Sequence, residues 1–172
     1  YKFEYTASGL LTKETEPKGN FFTHTFDATG RITDVLDQEG GHEKFGRKVD
    51  VKTGDVTTTV TSGEGDVVTY LDQTASTGAL TSTSSVTGVT KPTLFTSSSD
   101  GLTSKITSPD LTVSDLSFDL DPEYQFKYLK SQSITTPSGL KAQAAFARTY
   151  TDTNSDGKKD LITRTASLNS KS

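Results

Sequence analysis

One stretch carries residue types at spacings that suit a metal ion. It runs Asp152-Thr153-Asn154-Ser155-Asp156-Gly157-Lys158-Lys159-Asp160. Side-chain oxygens fall at positions 1, 3, 5 and 9 and a glycine at position 6, the pattern that opens a Ca²⁺ loop. Gly157 would permit the sharp turn that folds alternate carboxylates around one ion, and Lys158 would offer its backbone carbonyl. Position 12 is Thr163, so the bidentate Glu of an EF-hand is missing, and the flanks 147–150 and 161–165 read as strands. Three carboxylates crowded at one turn repel one another unless a cation neutralises them. The expectation is a hairpin Ca²⁺ site with Asp152, Asn154, Asp156, Lys158 and Asp160 as ligands. The alternative is a polar turn without metal.

Other chemistry-bearing residues fit structural roles better. His24 and His42 could form a metal pair or a general base with Asp27, Asp34 and Asp37 near in sequence. His24 alternates with Phe22 and Phe26, which places it on a sheet face, and His42 follows a turn glycine. Asp115, Asp119, Asp121 and Glu123 could supply a glycosidase-like pair. Asp115 and Asp119, however, share a strand face opposite Leu116, Phe118 and Leu120. Ser62-Gly63 and Ser138-Gly139 lack the strand-to-helix context of a nucleophile elbow. Tyr124, Phe126 and Tyr128 form a stripe that could meet a sugar, though such a stripe is first read as core. There is no Cys, hence no thiolate nucleophile, thiolate metal site or disulfide. No catalytic site is expected.

The elements that would carry these residues are strands. Hydrophobic residues make up 30% of the 172, a low share. The polarity comes from 31 Thr and 20 Ser, and β-branched Thr favours strands while Ser favours turns. Net charge is −4 and the basic residues are scattered, which argues against a nucleic-acid groove. No apolar run approaches the ~20 residues that span a bilayer, and no secretory leader is visible.

Turn signals recur every 8 to 14 residues, from Ser8-Gly9 through Thr29-Gly30, Thr53-Gly54-Asp55 and Asp100-Gly101 to Asp121-Pro122. Between them lie segments of period-2 alternation such as Phe22-His24-Phe26, Val56-Thr58-Val60 and Leu116-Phe118-Leu120. No stretch shows helical periodicity. The Ser/Thr-rich segment 74–114 has a low-complexity linker as its alternative reading, but it keeps the same turn spacing, so less regular strands should continue through it. The alternation predicts burial of Phe22, Phe26, Val56, Val60, Leu116, Phe118, Phe126 and Phe146. Tyr5, Phe26, Val49 and Leu71 open successive units 21, 23 and 22 residues apart, each unit being two strands and two turns.

The stretches Glu16-Pro17-Lys18-Gly19-Asn20, Phe26-Asp27-Ala28-Thr29-Gly30-Arg31-Ile32-Thr33 and Asp37-Gln38-Glu39-Gly40-Gly41-His42 resemble the repeat of the rearrangement-hotspot or YD-repeat family. That repeat reads Asp-Pro-x-Gly-Asn, then Tyr-Asp-x-x-Gly-Arg-Leu-Thr, then Asp-x-x-Gly. The likeness covers residues 5–45, is degenerate over 46–128, and partly returns at Tyr150-Thr151-Asp152. Phe26 stands where the family has Tyr, and Val49 and Leu71 depart further. The resemblance implies a β-ribbon that spirals into a hollow shell around a toxin or other polypeptide, in a much longer secreted or cell-surface chain. The self-cleaving Asp-rich motif of toxin-carrying members has no match here, so no catalytic residue carries over.

The expectation is therefore an all-β antiparallel β-hairpin repeat ribbon of 10 or more strands with little or no helix. Residues 1–172 would form a single β-repeat domain or a segment of a larger repeat array. Its function would be that of a structural scaffold that encloses or displays other domains, and not an enzyme. The alternative is an extracellular adhesin or carbohydrate-binding β-module. Expected partners are the remainder of a larger repeat chain or an encapsulated polypeptide, with self-association through sheet edges, no nucleic acid and no membrane span.

Overall fold

The computed structural model describes residues 1–157, 159 and 161–171. The strands are β1 (Lys2–Tyr5), β2 (Leu11–Thr15), β3 (Phe21–Phe26), β4 (Ile32–Asp37), β5 (His42–Val49), β6 (Val56–Ser62) and β7 (Val67–Thr74). They continue with β8 (Leu80–Val86), β9 (Thr93–Ser97), β10 (Thr103–Thr107), β11 (Val113–Leu120), β12 (Lys127–Thr135), β13 (Lys141–Thr151) and β14 (Leu161–Lys171). They lie in one antiparallel sheet in sequence order. The described residues contain no helix, and hence none long and apolar enough to cross a membrane. The expected all-β hairpin ribbon is observed, and strands run on through the Ser/Thr-rich segment.

One turn module recurs and has a simple physical basis. A residue at a fixed seat donates its N–H to the carbonyl four residues on, and its own carbonyl accepts the N–H three residues on. Thr6 does so with Leu10 (2.8 Å) and Gly9 (3.0 Å), and Glu16, Asp27, Asp37, Ser62, Ala75, Ser108 and Thr136 repeat the pattern. The third residue must take positive φ, which is why glycine recurs there: Gly9, Gly30 and Gly139 sit at φ 86, 81 and 86. The seat residue's side chain closes the module. Oxygens of Thr6, Asp27, Asp37, Ser62 and Thr136 accept the N–H four residues on at 3.0, 3.0, 2.7, 3.2 and 3.1 Å. The hydroxyl of Thr29 and the amide of Arg31 hold the Asp27 carboxyl below the usual carboxylate range, burial opposing them weakly. The Asp-x-x-Gly-Arg pattern is thus the chemistry of a bulged hairpin turn.

The seat also corrects the repeat register. Tyr5 and Phe26 directly precede seats at Thr6 and Asp27, and Val49 precedes Asp50, whose turn is one residue longer, with its N–H bonded to the Asp55 carbonyl and its own carbonyl to the Gly54 N–H. The fourth unit, expected to open at Leu71, instead has its seat at Ala75, because β7 runs 8 residues to Thr74.

The chain divides into two compact units, residues 1–73 with 83–89, and residues 74–82 with 90–172. In the first, Phe45 faces Val60 and Val60 faces Val68 across β5, β6 and β7. In the second, Lys105, Asp115, Ser133 and Gln143 stand in one lateral row across β10 to β13.

The expected core is absent. Among the described residues no hydrophobic side chain is fully buried. Phe22 and Phe126 are 40% and 44% exposed, while Phe26, Val56, Val60, Leu116, Phe118 and Phe146 are half-buried. Alternation assigns residues to faces, but the described residues of neither unit bury a hydrophobic side chain on either face. Several rings are covered by cations instead. The Lys13 Nζ lies 4.3 Å from the Phe21 centroid and the Lys127 Nζ lies 4.1 Å from that of Phe118.

The module generates a stability prediction. Leu111 takes the glycine position of the Ser108 turn at φ 71 and is 46% exposed. Left-handed backbone costs a non-glycine residue ~1–2 kcal/mol, while glycine costs ~0.5–1 kcal/mol of folding entropy. Leu111→Gly should therefore stabilise the fold by about 0.5–1 kcal/mol in denaturant unfolding. A destabilised variant would show that the Leu111 side chain matters more than its backbone.

Candidate functional site

The β13–β14 hairpin carries the expected metal loop. The long ladder from Lys141↔Lys171 to Thr151↔Leu161 brings the loop ends together. Asp152 Oδ2 accepts the Gly157 N–H at 2.8 Å, and Asn154 Oδ1 accepts the Asp156 N–H at 3.1 Å. Ser155 and Gly157 take positive φ of 61 and 84. Asp152 Oδ1 is buried and has no hydrogen bond of good geometry among the described residues. Burial raises the Asp152 pKa, but the amides of 154–157, Gly157 foremost, outweigh it and hold the carboxyl low. Asp152, Asn154 and Asp156 thus share one turn, while Lys158 and Asp160 lie outside the described residues. Among the described residues no three His, Cys, Asp or Glu side chains form a group able to hold a metal ion.

The most developed chemical environment lies just before that loop, around Asp121. The β11–β12 connection is one residue longer than the common module. Gln125, at φ 58, donates its N–H to the Asp121 carbonyl at 2.8 Å, and Asp121 donates to the Phe126 carbonyl at 2.8 Å. The Asp121 side chain is 0% exposed. Its Oδ1 accepts the amides of Glu123 (3.1 Å) and Tyr124 (2.9 Å). Its Oδ2 accepts the Tyr150 hydroxyl and lies 3.5 Å from Arg148 Nη1. Burial pushes the Asp121 pKa up, but these donors and the guanidinium outweigh it, and the net direction is down. Asp121 in turn pushes the Tyr150 hydroxyl pKa up through the hydrogen bond, with burial and carboxylate charge adding and Arg148 opposing.

Aromatic rings enclose this ion pair. The Arg148 guanidinium lies 4.7 Å from the centroids of both Phe126 and Tyr128. Tyr124 meets Tyr150 edge-on at 5.8 Å between centroids. The expected Tyr124-Phe126-Tyr128 stripe is therefore a holder for a cation and for Tyr150, and Phe126 and Tyr124 remain exposed. The cluster ties the β11–β12 turn to the far end of β13. Its chemistry is that of a structural clamp, because every Asp121 oxygen is already occupied.

The other candidate residues go to separate places. His24 is level with Val35, while His42 is level with Leu36, and consecutive strand residues point to opposite faces. The two imidazoles therefore lie on opposite sides of the sheet. His24 Nδ1 is buried without a hydrogen bond among the described residues, whereas His42 Nδ1 lies 3.1 and 3.2 Å from the two Asp34 oxygens. Asp115 faces Lys105 at 3.7 Å and Asp119 faces Lys130 at 3.0 Å, exposed pairs of small energetic weight. Ser62 Oγ accepts a turn amide, and Ser138 Oγ lies 2.9 Å from Thr136 Oγ1.

Sequence reading missed Arg148 and Tyr150. The signal available was their period-2 spacing with Phe146, which puts two polar-tipped side chains on the face of an aromatic residue. No family model matches the chain, and no curated protein matches it.

The clamp sets a pH response. A depressed folded pKa means that Asp121 contributes stability above its unfolded value of ~3.9, which is lost as pH falls through the folded value. A raised folded pKa means that Tyr150 contributes stability below its unfolded value of ~10, lost as pH rises through the folded value. Thermal midpoints measured from acid to alkaline pH should show a flatter acid limb for Asp121→Asn and a flatter alkaline limb for Tyr150→Phe. If both variants parallel the wild type, the clamp does not control stability.

Proposed function

We propose that the chain is a wall segment of the YD-repeat type, a structural scaffold of a secreted or cell-surface protein that encloses or displays other domains. The observation that carries this reading is a 14-stranded antiparallel sheet whose described residues include no buried hydrophobic side chain. Such a sheet makes surface and not interior. It suits a wall whose faces meet solvent or an enclosed polypeptide. The repeated turn module supports the same reading, because one motif copied along the chain adds strands without limit. The chain's partners in this account are further strands of a longer repeat chain, or enclosed polypeptide. Strand β1 closes the sheet at one side and all of its residues are exposed, so its outer backbone groups can pair with another strand, including one from a second copy. Small-angle scattering of the longer parent protein should give the profile of a hollow particle. A solid globule of the same mass would contradict the wall reading.

A Ca²⁺ ion held by Asp152, Asn154 and Asp156, with the Lys158 carbonyl and Asp160, belongs to this proposal. The buried Asp152 Oδ1, which has no hydrogen bond of good geometry among the described residues, supports it, since a hard cation would satisfy that lone pair. Water would complete the 6–8 oxygen shell, giving the ~10⁻⁴–10⁻³ M affinity of extracellular modules. Millimolar Ca²⁺ should then stabilise the fold relative to chelator by about 0.4–1.4 kcal/mol when it stands at ~1–10 times Kd. The gain in thermal midpoint should vanish in Asp156→Ala. An equal shift in both proteins, or none in either, makes the loop a plain turn.

A further inference from the structure

Arg148 and Arg164 face each other directly across β13 and β14. Side chains at such a pair stand about 4.5–5.5 Å apart at Cβ, and like charges there repel. Asp121 answers only the first of them. Its carboxylate is buried against Arg148, and the described residues offer Arg164 no ion-pair or hydrogen-bond partner. A cleft of about 270 Å³ opens beside the pair. Phe146 and Ala166 form the next paired row on the same face, and Tyr128 and Leu129 of β12 close the cleft. The site thus combines two guanidinium groups carrying one uncompensated charge with a floor of apolar and aromatic carbon.

We propose that this cleft binds a small organic carboxylate with a compact apolar body. A planar guanidinium fork matches a carboxylate in a bidentate way, and a carboxylate between the two arginines would remove their repulsion. Arg148 is already stacked between Phe126 and Tyr128, so it is oriented before any ligand arrives. A bare anion would leave the Phe146 and Ala166 surface wet, and a neutral apolar molecule would leave Arg164 without its counter-charge. The wall reading does not depend on this site. The longer parent can be hollow whether or not the cleft binds, and the cleft can bind in a protein that is not a wall.

The test is a titration followed by amide shifts in nuclear magnetic resonance, with sodium benzoate as the probe. Sodium acetate, benzyl alcohol and inorganic phosphate serve as comparisons. Benzoate should shift the amides of 146–148 and 164–166 and saturate in the millimolar range. Arg164→Gln should weaken benzoate about tenfold, the scale of one lost charge-assisted pair, with Arg164→Lys between the two. Arg164 is exposed and outside the Asp121 clamp, so unchanged shifts elsewhere will confirm that both variants keep their fold. The proposal is overturned if Arg164→Gln binds benzoate as well as the wild type. It is also overturned if benzyl alcohol or phosphate matches benzoate, or if benzoate produces no saturable shift at tens of millimolar.

Discussion

A strand face with nothing packed on it cannot leave water, and the described residues of both units bury no hydrophobic side chain. Without a core, strand register has to be held locally, by the backbone ladder and by the turn that starts each new strand. The recurrent turn does this with two backbone bonds, one positive-φ residue and one side-chain oxygen. Because alternation has period 2, a slip of one residue would turn every side chain to the opposite face. In most proteins the core penalises such a slip. Here the seat residues Thr6, Asp27, Asp37, Ser62 and Thr136 carry that role.

The same constraint explains how the aromatic residues are used. Rings that elsewhere would pack into a second layer are covered by long cationic side chains, whose stems shed water while their charges remain hydrated. The Asp121 cluster carries this furthest. Arg148 lies between two rings, and its charge is met by a carboxylate that also fixes the turn and the Tyr150 hydroxyl. One buried acid, fully bonded, takes the place of a small core. Its net depressed pKa is the electrostatic mark of that substitution, since the donors around it outweigh the cost of burial.

What could be read from the sequence was what is local. Turn signals at Gly9, Gly30, Gly54 and Gly101 sit between strands as expected, because positive φ at glycine is decided within a few residues. Alternation of Val56, Thr58 and Val60 is a property of one strand, and it was legible too. Burial was not, because it depends on whether a second layer exists, and no strand encodes that alone. This is why Phe22 and Phe126 were expected inside and are found exposed. The partnership of Asp121 with Tyr150 spans 29 residues and two intervening turns, so spacing could not reveal it. The opposed faces of His24 and His42 likewise became visible only with the register of β3, β4 and β5.

The heat capacity of unfolding tests the account of a sheet without a buried core most directly, because it reports the apolar surface that folding removes from water. Ordinary globular packing of 172 residues would give roughly 2.1–2.6 kcal/mol/K at ~12–15 cal/mol/K per residue. A sheet whose described residues bury no hydrophobic side chain should fall clearly below that range in scanning calorimetry. A value within the range or above it would mean that the chain hides a conventional core, and would contradict the account.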